Sequence, residues 1–110
     1  MNEAELLFTG LLDCDRTSLY LNKGYSLDKD KLRLVSLALK MRVKGEPIQY
    51  ILGKTEFMGL EFKVTPDVMI PRPETEILVE TVIKYANRLS PNVCPILELG
   101  TGSGCIAVSL

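Results

Sequence analysis

The most specific chemistry in the sequence lies in the run Glu98-Leu99-Gly100-Thr101-Gly102-Ser103-Gly104-Cys105. Three glycines alternate between an apolar stretch and the start of a helical pattern, which makes a strand-to-helix turn. One glycine permits the tight turn, one admits a ligand without a Cβ in its way, and one lets the helix pack closely on a sheet. A P-loop needs four residues between its glycines and then Gly-Lys-Ser/Thr, and nothing here supplies that lysine. A dinucleotide fingerprint would put its third glycine at position 105, where Cys105 stands, with Gly104 one place away. Taken alone, such a turn is common to parallel sheets, so its neighbourhood must decide.

The rest of the composition narrows the chemistry by exclusion. The 110 residues include no histidine, which removes the commonest general base, the commonest metal ligand and every Ser-His-Asp or Cys-His arrangement. Cys14, Cys94 and Cys105 are odd in number and lack CxxC spacing, so they suggest neither a disulfide framework nor a zinc site, and no metal site is expected. A reducing cytosol fits best. With 46% hydrophobic and 25% charged residues the chain reads as an ordinary globular domain. Thirteen basic residues against fourteen acidic ones leave no excess of Lys and Arg for direct nucleic-acid binding. No apolar run approaches the ~20 residues of a membrane span, and the start, Met1-Asn2-Glu3-Ala4-Glu5, is acidic where a signal peptide is basic. The expected location is cytoplasmic, with no membrane partner.

The elements that must position the turn are legible from periodicity. Ala4, Leu7, Phe8 and Leu11 recur at helical spacing over Glu3 to Leu12. Arg16 to Leu21 supplies another turn or two before Asn22-Lys23-Gly24 interrupts. Ser26 is the expected N-cap of the longest helix, which ends near Lys44-Gly45. On it Lys29, Arg33, Ser36, Lys40 and Lys44 share one narrow face, while Leu32, Leu34, Val35, Leu37, Ala38, Leu39, Met41 and Val43 cover about 240° of the circumference. Such a helix needs neighbours on several sides. It therefore borrows surface from elsewhere or has lost a preceding helix, and an exposed apolar face and self-association are expected.

Glu46-Pro47 starts a short helix through Ile48 and Tyr50 to Leu52. Lys54 to Met58 and Leu60 to Val64 read as a β-hairpin turning near Gly59, with Phe57 on one side and Leu60, Phe62 and Val64 on the other. In Met69-Ile70-Pro71-Arg72-Pro73 the prolines hold Ile70 and Arg72 extended, giving a rigid lead-in to a helix. Glu74 and Glu76 sit in that helix's first turn, where its dipole favours them. Leu78, Val82, Tyr85, Ala86 and Leu89 form its apolar stripe before Ser90-Pro91. Pro95-Ile96-Leu97-Glu98-Leu99 reads as a buried strand, followed by the glycine turn and a helix from Ser103 to Leu110.

An acidic residue two before the first glycine, followed by G-x-G-x-G, resembles the S-adenosylmethionine motif of class I methyltransferases. Three further segments extend the likeness: Gly45-Glu46-Pro47-Ile48-Gln49-Tyr50-Ile51-Leu52-Gly53; Glu56-Phe57-Met58-Gly59 with Phe62-Lys63-Val64; and Ile70-Pro71-Arg72-Pro73-Glu74-Thr75-Glu76. In this order they resemble the HemK family, the glutamine-N5 methyltransferases of peptide-chain release factors, and Glu3 to Lys44 matches more loosely as helices of that family's small N-terminal domain. The resemblance implies an α+β chain: a helical substrate-recognition domain over residues 1–52, a β-hairpin connector over 53–70, and over 71–110 the first helix, strand and glycine turn of a Rossmann-like α/β methyltransferase domain. It further implies S-adenosylmethionine as methyl donor, cradled by Gly100, Thr101, Gly102, Ser103 and Gly104 with Glu98 beneath its methionine part. A release factor would be the protein partner, and Pro71-Arg72-Pro73-Glu74 would lie beside the pocket. Read as residues alone, Arg72 and Glu74 are equally a solvated helix start. Phe57, Phe62 and Tyr50 read as packing residues and Cys105 as a small core residue.

The family's catalytic Asn-Pro-Pro-Tyr motif does not occur in this sequence, so no catalytic residue is assigned. The acidic residue that would hold the ribose hydroxyls is also missing, and the family's further N-terminal helix has no counterpart before Glu3. The expectation is a piece cut at both ends or an aberrant gene product, inactive alone. A second class stays open, a protein-binding helical module with a vestigial cofactor turn. A nicotinamide-dependent Rossmann protein is disfavoured by Cys105.

Overall fold

The fold is seen in a computed structural model that describes residues 1–21, 24, 26–89 and 95–110. The chain divides into two compact units, Met1–Leu52 and Gly53–Leu110.

In the first unit, helix α1 (Glu3–Leu12) opens with a reciprocal cap. The Glu5 N–H donates to Asn2 Oδ1 at 2.8 Å, and the Asn2 N–H donates to Glu5 Oε2 at 3.0 Å. Each side chain thus accepts an N–H that a helix start leaves unsatisfied. Helix α2 (Arg16–Leu21) starts on Asp15, whose carboxylate accepts the Ser18 N–H at 2.8 Å. Helix α3 (Lys29–Val43) is capped by Asp28, which accepts the Lys31 N–H at 2.8 Å. The expected cap at Ser26 is thereby corrected: a carboxylate two residues later holds the orphan N–H and fixes the boundary. Helix α4 (Ile48–Leu52) receives its lead from Pro47, whose carbonyl accepts the Tyr50 and Ile51 N–H groups.

Leu7, Ala38 and Ile48 form the core of this unit, with Leu11, Ile51 and Leu52 packed against it. Gly10 lets α1 approach α4: a Cβ at that position would stand 2.8 Å from Leu52 Cδ2. Arg42 ties three segments together, donating to Glu3 at 2.7 Å and to the Glu46 carbonyl at 3.3 Å. Only Val35 and Ala38 of α3 are buried. Leu34 and Leu37, exposed by 52% and 58%, lie on one flank of that buried line, and Leu32, Leu39 and Val43 lie exposed on the other. The expected surplus of apolar surface on this helix is present.

The second unit begins with β1 (Lys54–Phe57) and β2 (Leu60–Lys63), an antiparallel pair in the register Lys54↔Lys63, Thr55↔Phe62, Glu56↔Glu61 and Phe57↔Leu60. Met58 and Gly59 both have positive φ, 52° and 73°, the signature of the two-residue hairpin turn whose twist matches the strands. The register places Phe57 and Phe62 on the same face, where their rings meet edge to face with centroids 6.2 Å apart. The expectation that Phe57 and Phe62 face opposite ways is corrected, because residues opposite or two apart across a ladder share a face.

Helix α5 (Pro73–Leu89) starts with proline at its first position and buries Val79 completely. Its outer flank leaves Leu78, Tyr85 and Leu89 exposed, so the expected apolar stripe is only in part the buried one. Ser90-Pro91, the expected stop, lies outside the described residues, as do Asn22 and Lys23. Helix α6 (Cys105–Ser109) is shorter than the expected span from Ser103. Phe57, Phe62, Val79 and Cys105 make one core, with Met58, Ile83 and Ile106 against it.

The expected buried strand at Pro95–Leu99 is not formed. Among the described residues β1–β2 is the only sheet, and Leu97 and Leu99 are 85% and 86% exposed. A parallel strand is completed by partners a crossover away, and none of the described residues provides that pairing.

Candidate functional site

The glycine turn takes its shape from backbone conformation rather than crowding. Gly100, Gly102 and Gly104 have φ of 73°, 58° and 79°, a region that L side chains enter only with strain. A Cβ on Gly100 would meet nothing within 4 Å, and one on Gly102 would meet only the Gly100 carbonyl at 4.0 Å. The backbone there faces open space. At Gly104 the nearest atom to a Cβ would be Thr101 Cγ2 at 3.9 Å, an ordinary contact. Gly104 is the left-handed N-cap of α6. The Gly104 N–H donates to the Thr101 carbonyl at 2.9 Å and closes the turn, while the Gly104 carbonyl accepts the Val108 N–H at 3.0 Å.

Two side chains at this turn have polar atoms without partners. Both carboxylate oxygens of Glu98 and the hydroxyl of Ser103 are shielded from solvent and make no hydrogen bond in the chain. An ionised carboxylate is an acceptor with several open positions, and leaving it dry and unpaired is costly. A cationic or N–H donor would satisfy it. The order of the turn is thus an acceptor at Glu98, open left-handed backbone from Gly100 to Gly102, and a second orphan group at Ser103.

Cys105 leads from the turn into α6 and is buried in the core of the second unit, as its reading as a packing residue requires. Phe57 and Phe62 are likewise buried. Arg72 and Glu74 are exposed at the start of α5, whereas Glu76 is half-buried and accepts the Met58 N–H at 2.7 Å. Beyond the favourable helix-dipole position expected of it, Glu76 thus joins α5 to the hairpin. The signal available for it was the Met58-Gly59 turn, whose exposed N–H needs an acceptor.

A separate cavity of about 460 Å³ lies in the first unit, lined by Phe8, Leu12, Leu19 and Leu27 with Lys31. It contains none of the turn residues. Among the described residues no group of three or more metal-ligating side chains occurs, and no helix is long and apolar enough to cross a membrane.

Four helices, a hairpin and a proline-led helix thus precede the glycine turn along the chain. Residues 1–53 match the family model described as the PrmC N-terminal domain. Over nearly its whole length the chain is similar to release factor glutamine methyltransferases. It is 44% identical over 108 residues to the release factor glutamine methyltransferase of Geobacter sulfurreducens, a match covering 98% of this chain and 37% of the relative. The protein of the same name from Coxiella burnetii is 45% identical over 108 residues, with 98% of this chain and 38% of the relative covered. That of Burkholderia pseudomallei is 47% identical over 109 residues, with 98% and 37% covered. The chain thus spans a little more than a third of the length of these curated relatives.

Proposed function

We propose that the chain forms the N-terminal portion of an S-adenosylmethionine-dependent methyltransferase that modifies the side-chain amide nitrogen of a glutamine in a peptide-chain release factor. The relatives are named release factor glutamine methyltransferases, which supports the substrate and the group transferred. The observation that carries the cofactor assignment is the unpartnered carboxylate of Glu98, set before an open backbone with three left-handed glycines.

The residues fit the cofactor. Its ammonium is the kind of donor Glu98 lacks, and its nucleoside and methionine parts need no phosphate-gripping lysine. Gly100, Thr101, Gly102, Ser103 and Gly104 would hold it through backbone groups, with the Ser103 hydroxyl as a further partner. When bound, S-adenosylmethionine supplies a methyl group activated by a sulfonium. A glutamine amide nitrogen is a weak nucleophile, so the reaction depends on aligning that nitrogen with the methyl and on polarising the amide. No residue of this chain is assigned that task, and the Asn-Pro-Pro-Tyr motif expected to perform it is absent from the sequence. The chain alone is therefore inactive, and its share is to hold the donor and, through residues 1–52, to meet the protein substrate. The hairpin connects the two tasks. We place the protein in the cytoplasm, where release factors work.

The exposed leucines of α3 favour a second reading, in which the helical unit is a protein-binding module, able to self-associate, and the turn a vestige. Transfer of labelled methyl from S-adenosylmethionine to a release factor separates the two. With this chain joined to the remainder of a family methyltransferase, incorporation is expected and Glu98→Gln should weaken cofactor binding. Unimpaired binding in that variant would remove Glu98 from the site.

A further inference from the structure

We propose that Glu76 is a positioning residue for the glycine turn, fixing the hairpin tip so that the core under Cys105 stays closed. The proposal rests on the reading of Gly100 to Gly104 as the cofactor turn.

Its starting point is the tip itself. Met58 has φ of 52°, and among the described residues it shares a positive φ with one other non-glycine residue, Asp13. A side chain there works against its own steric preference, so the conformation needs an outside hold. The Glu76 carboxylate provides one, accepting the Met58 N–H at 2.7 Å across eighteen residues of sequence. A charged acceptor at that distance makes a strong hydrogen bond.

What the tip holds is the core. Met58 packs against the cluster of Phe57, Phe62, Val79 and Cys105. Phe57 and Val79 of that cluster are 1% and 0% exposed, so the core that holds Cys105 is closed to solvent. Cys105 follows Gly104 directly and begins α6. A tip that lifts from α5 loosens Phe57, then the seat of Cys105, and with it the end of the turn. Glu76 acts on the turn only through these neighbours.

Two explanations of Glu76 make different demands. A helix-dipole role needs negative charge in the first turn and no particular reach. The bond to Met58 needs an acceptor at full side-chain length and works without the charge. Glu76→Asp keeps the charge and loses reach; Glu76→Gln keeps the reach and an acceptor but loses the charge.

The test uses the 110-residue chain with Cys14→Ser and Cys94→Ser, so that Cys105 is the remaining thiol. Its labelling rate by a neutral maleimide reads opening of the seat without any ligand. Loss of a hydrogen bond to a charged group shifts a local opening equilibrium by roughly tenfold or more, so Glu76→Asp should label about that much faster. Glu76→Gln keeps the bond with a weaker, neutral acceptor and should label at a rate between the parent and the Asp variant. Amide exchange at Met58 should follow the same order. Fast labelling in the Gln variant with protection in the Asp variant would overturn the proposal in favour of charge alone. Unchanged labelling in both would overturn it outright, and should the Asp variant not fold, Glu76→Ala, which also removes the acceptor, takes its place with the same expected gain in labelling rate. Because no cofactor enters the measurement, failure of the chain's cofactor reading leaves this result separately readable.

Discussion

The Tyr20 hydroxyl donates a 2.6 Å hydrogen bond to the Glu5 carboxylate, joining residues fifteen apart and docking α2 on α1. The same carboxylate accepts from Arg16 at 3.1 Å and from the Asn2 N–H, and the Arg16 guanidinium lies 5.9 Å from the Tyr20 ring centre. Helix α2 has no buried residue, so this polar junction is a main part of what holds it.

The junction makes the first unit sensitive to acid. Hydrogen bonds from Tyr20, then from Asn2 and Arg16, lower the Glu5 pKa from 4.5 to about 2. A carboxylate with a lowered folded-state pKa contributes stability that is present above its unfolded value and lost as pH falls through the folded one. Urea unfolding of residues 1–52 followed by helical circular dichroism should show stability falling between about pH 4.5 and 2. Tyr20→Phe removes the leading cause, so its acid loss should start at the same pH but be smaller and be complete at a higher pH. An identical pH profile for the two proteins would refute the assignment.

Gly10 should separate two sizes of side chain. In Gly10→Ala the new Cβ meets the movable end of Leu52, while the helix gains about 0.5–1 kcal/mol from replacing glycine, so the change should be near neutral. Gly10→Val cannot be met by the same shift and should cost about 1–3 kcal/mol through overpacking. Thermal midpoints of the two variants check this.

Phe57→Ala should cost about 3–5 kcal/mol in the second unit, because a fully buried ring is replaced by a cavity. By contrast, Leu37→Lys on the exposed flank of α3 should change stability by no more than about 0.5 kcal/mol. If that flank drives self-association, Leu37→Lys should also lower the weight-average mass seen by sedimentation at high concentration. A parent chain that stays monomeric at high concentration would remove the association reading.

At the glycine turn, a β-branched residue held at the φ of 58° seen for Gly102 carries strain of about 1–3 kcal/mol. Joined to the remainder of a family methyltransferase, Gly102→Val should abolish S-adenosylmethionine binding and leave the helical unit folded. The 110-residue chain should give no measurable heat with S-adenosylmethionine, since Pro95 to Leu99 has no ladder among the described residues on which to fix the turn. Micromolar binding by calorimetry would show a turn already organised without its sheet.

What could be read from sequence followed the range of the interaction. The hairpin was legible because its turn and its paired residues lie within about ten positions, and the φ > 0 demanded at Gly59 is local. The helices of the first unit were legible from periodicity. The cap moved from Ser26 to Asp28 because both residue types cap well and only packing chooses between them. Glu98 and Gly100 to Gly104 stand out through the family resemblance, and what the fold adds is the left-handed backbone of Gly100, Gly102 and Gly104. The partners of Glu5 and Glu76 were not legible, since each bond joins segments that only the folded chain brings together.

The hairpin's outer face has a further consequence. Lys54 stands opposite Lys63, and Glu56 opposite Glu61, so each directly facing pair repels. The Lys54 ammonium turns instead to Glu61 on the diagonal, at 2.8 Å. Sliding the strands by two residues would bring that attraction face to face but would pull Phe62 from its place beside Phe57. Oil outranks salt in setting this alignment. The lysines then serve at the margins, one on each edge of the ribbon at its open end, where an incoming third strand would have to bury a charge, and the hairpin can stay narrow without recruiting copies of itself.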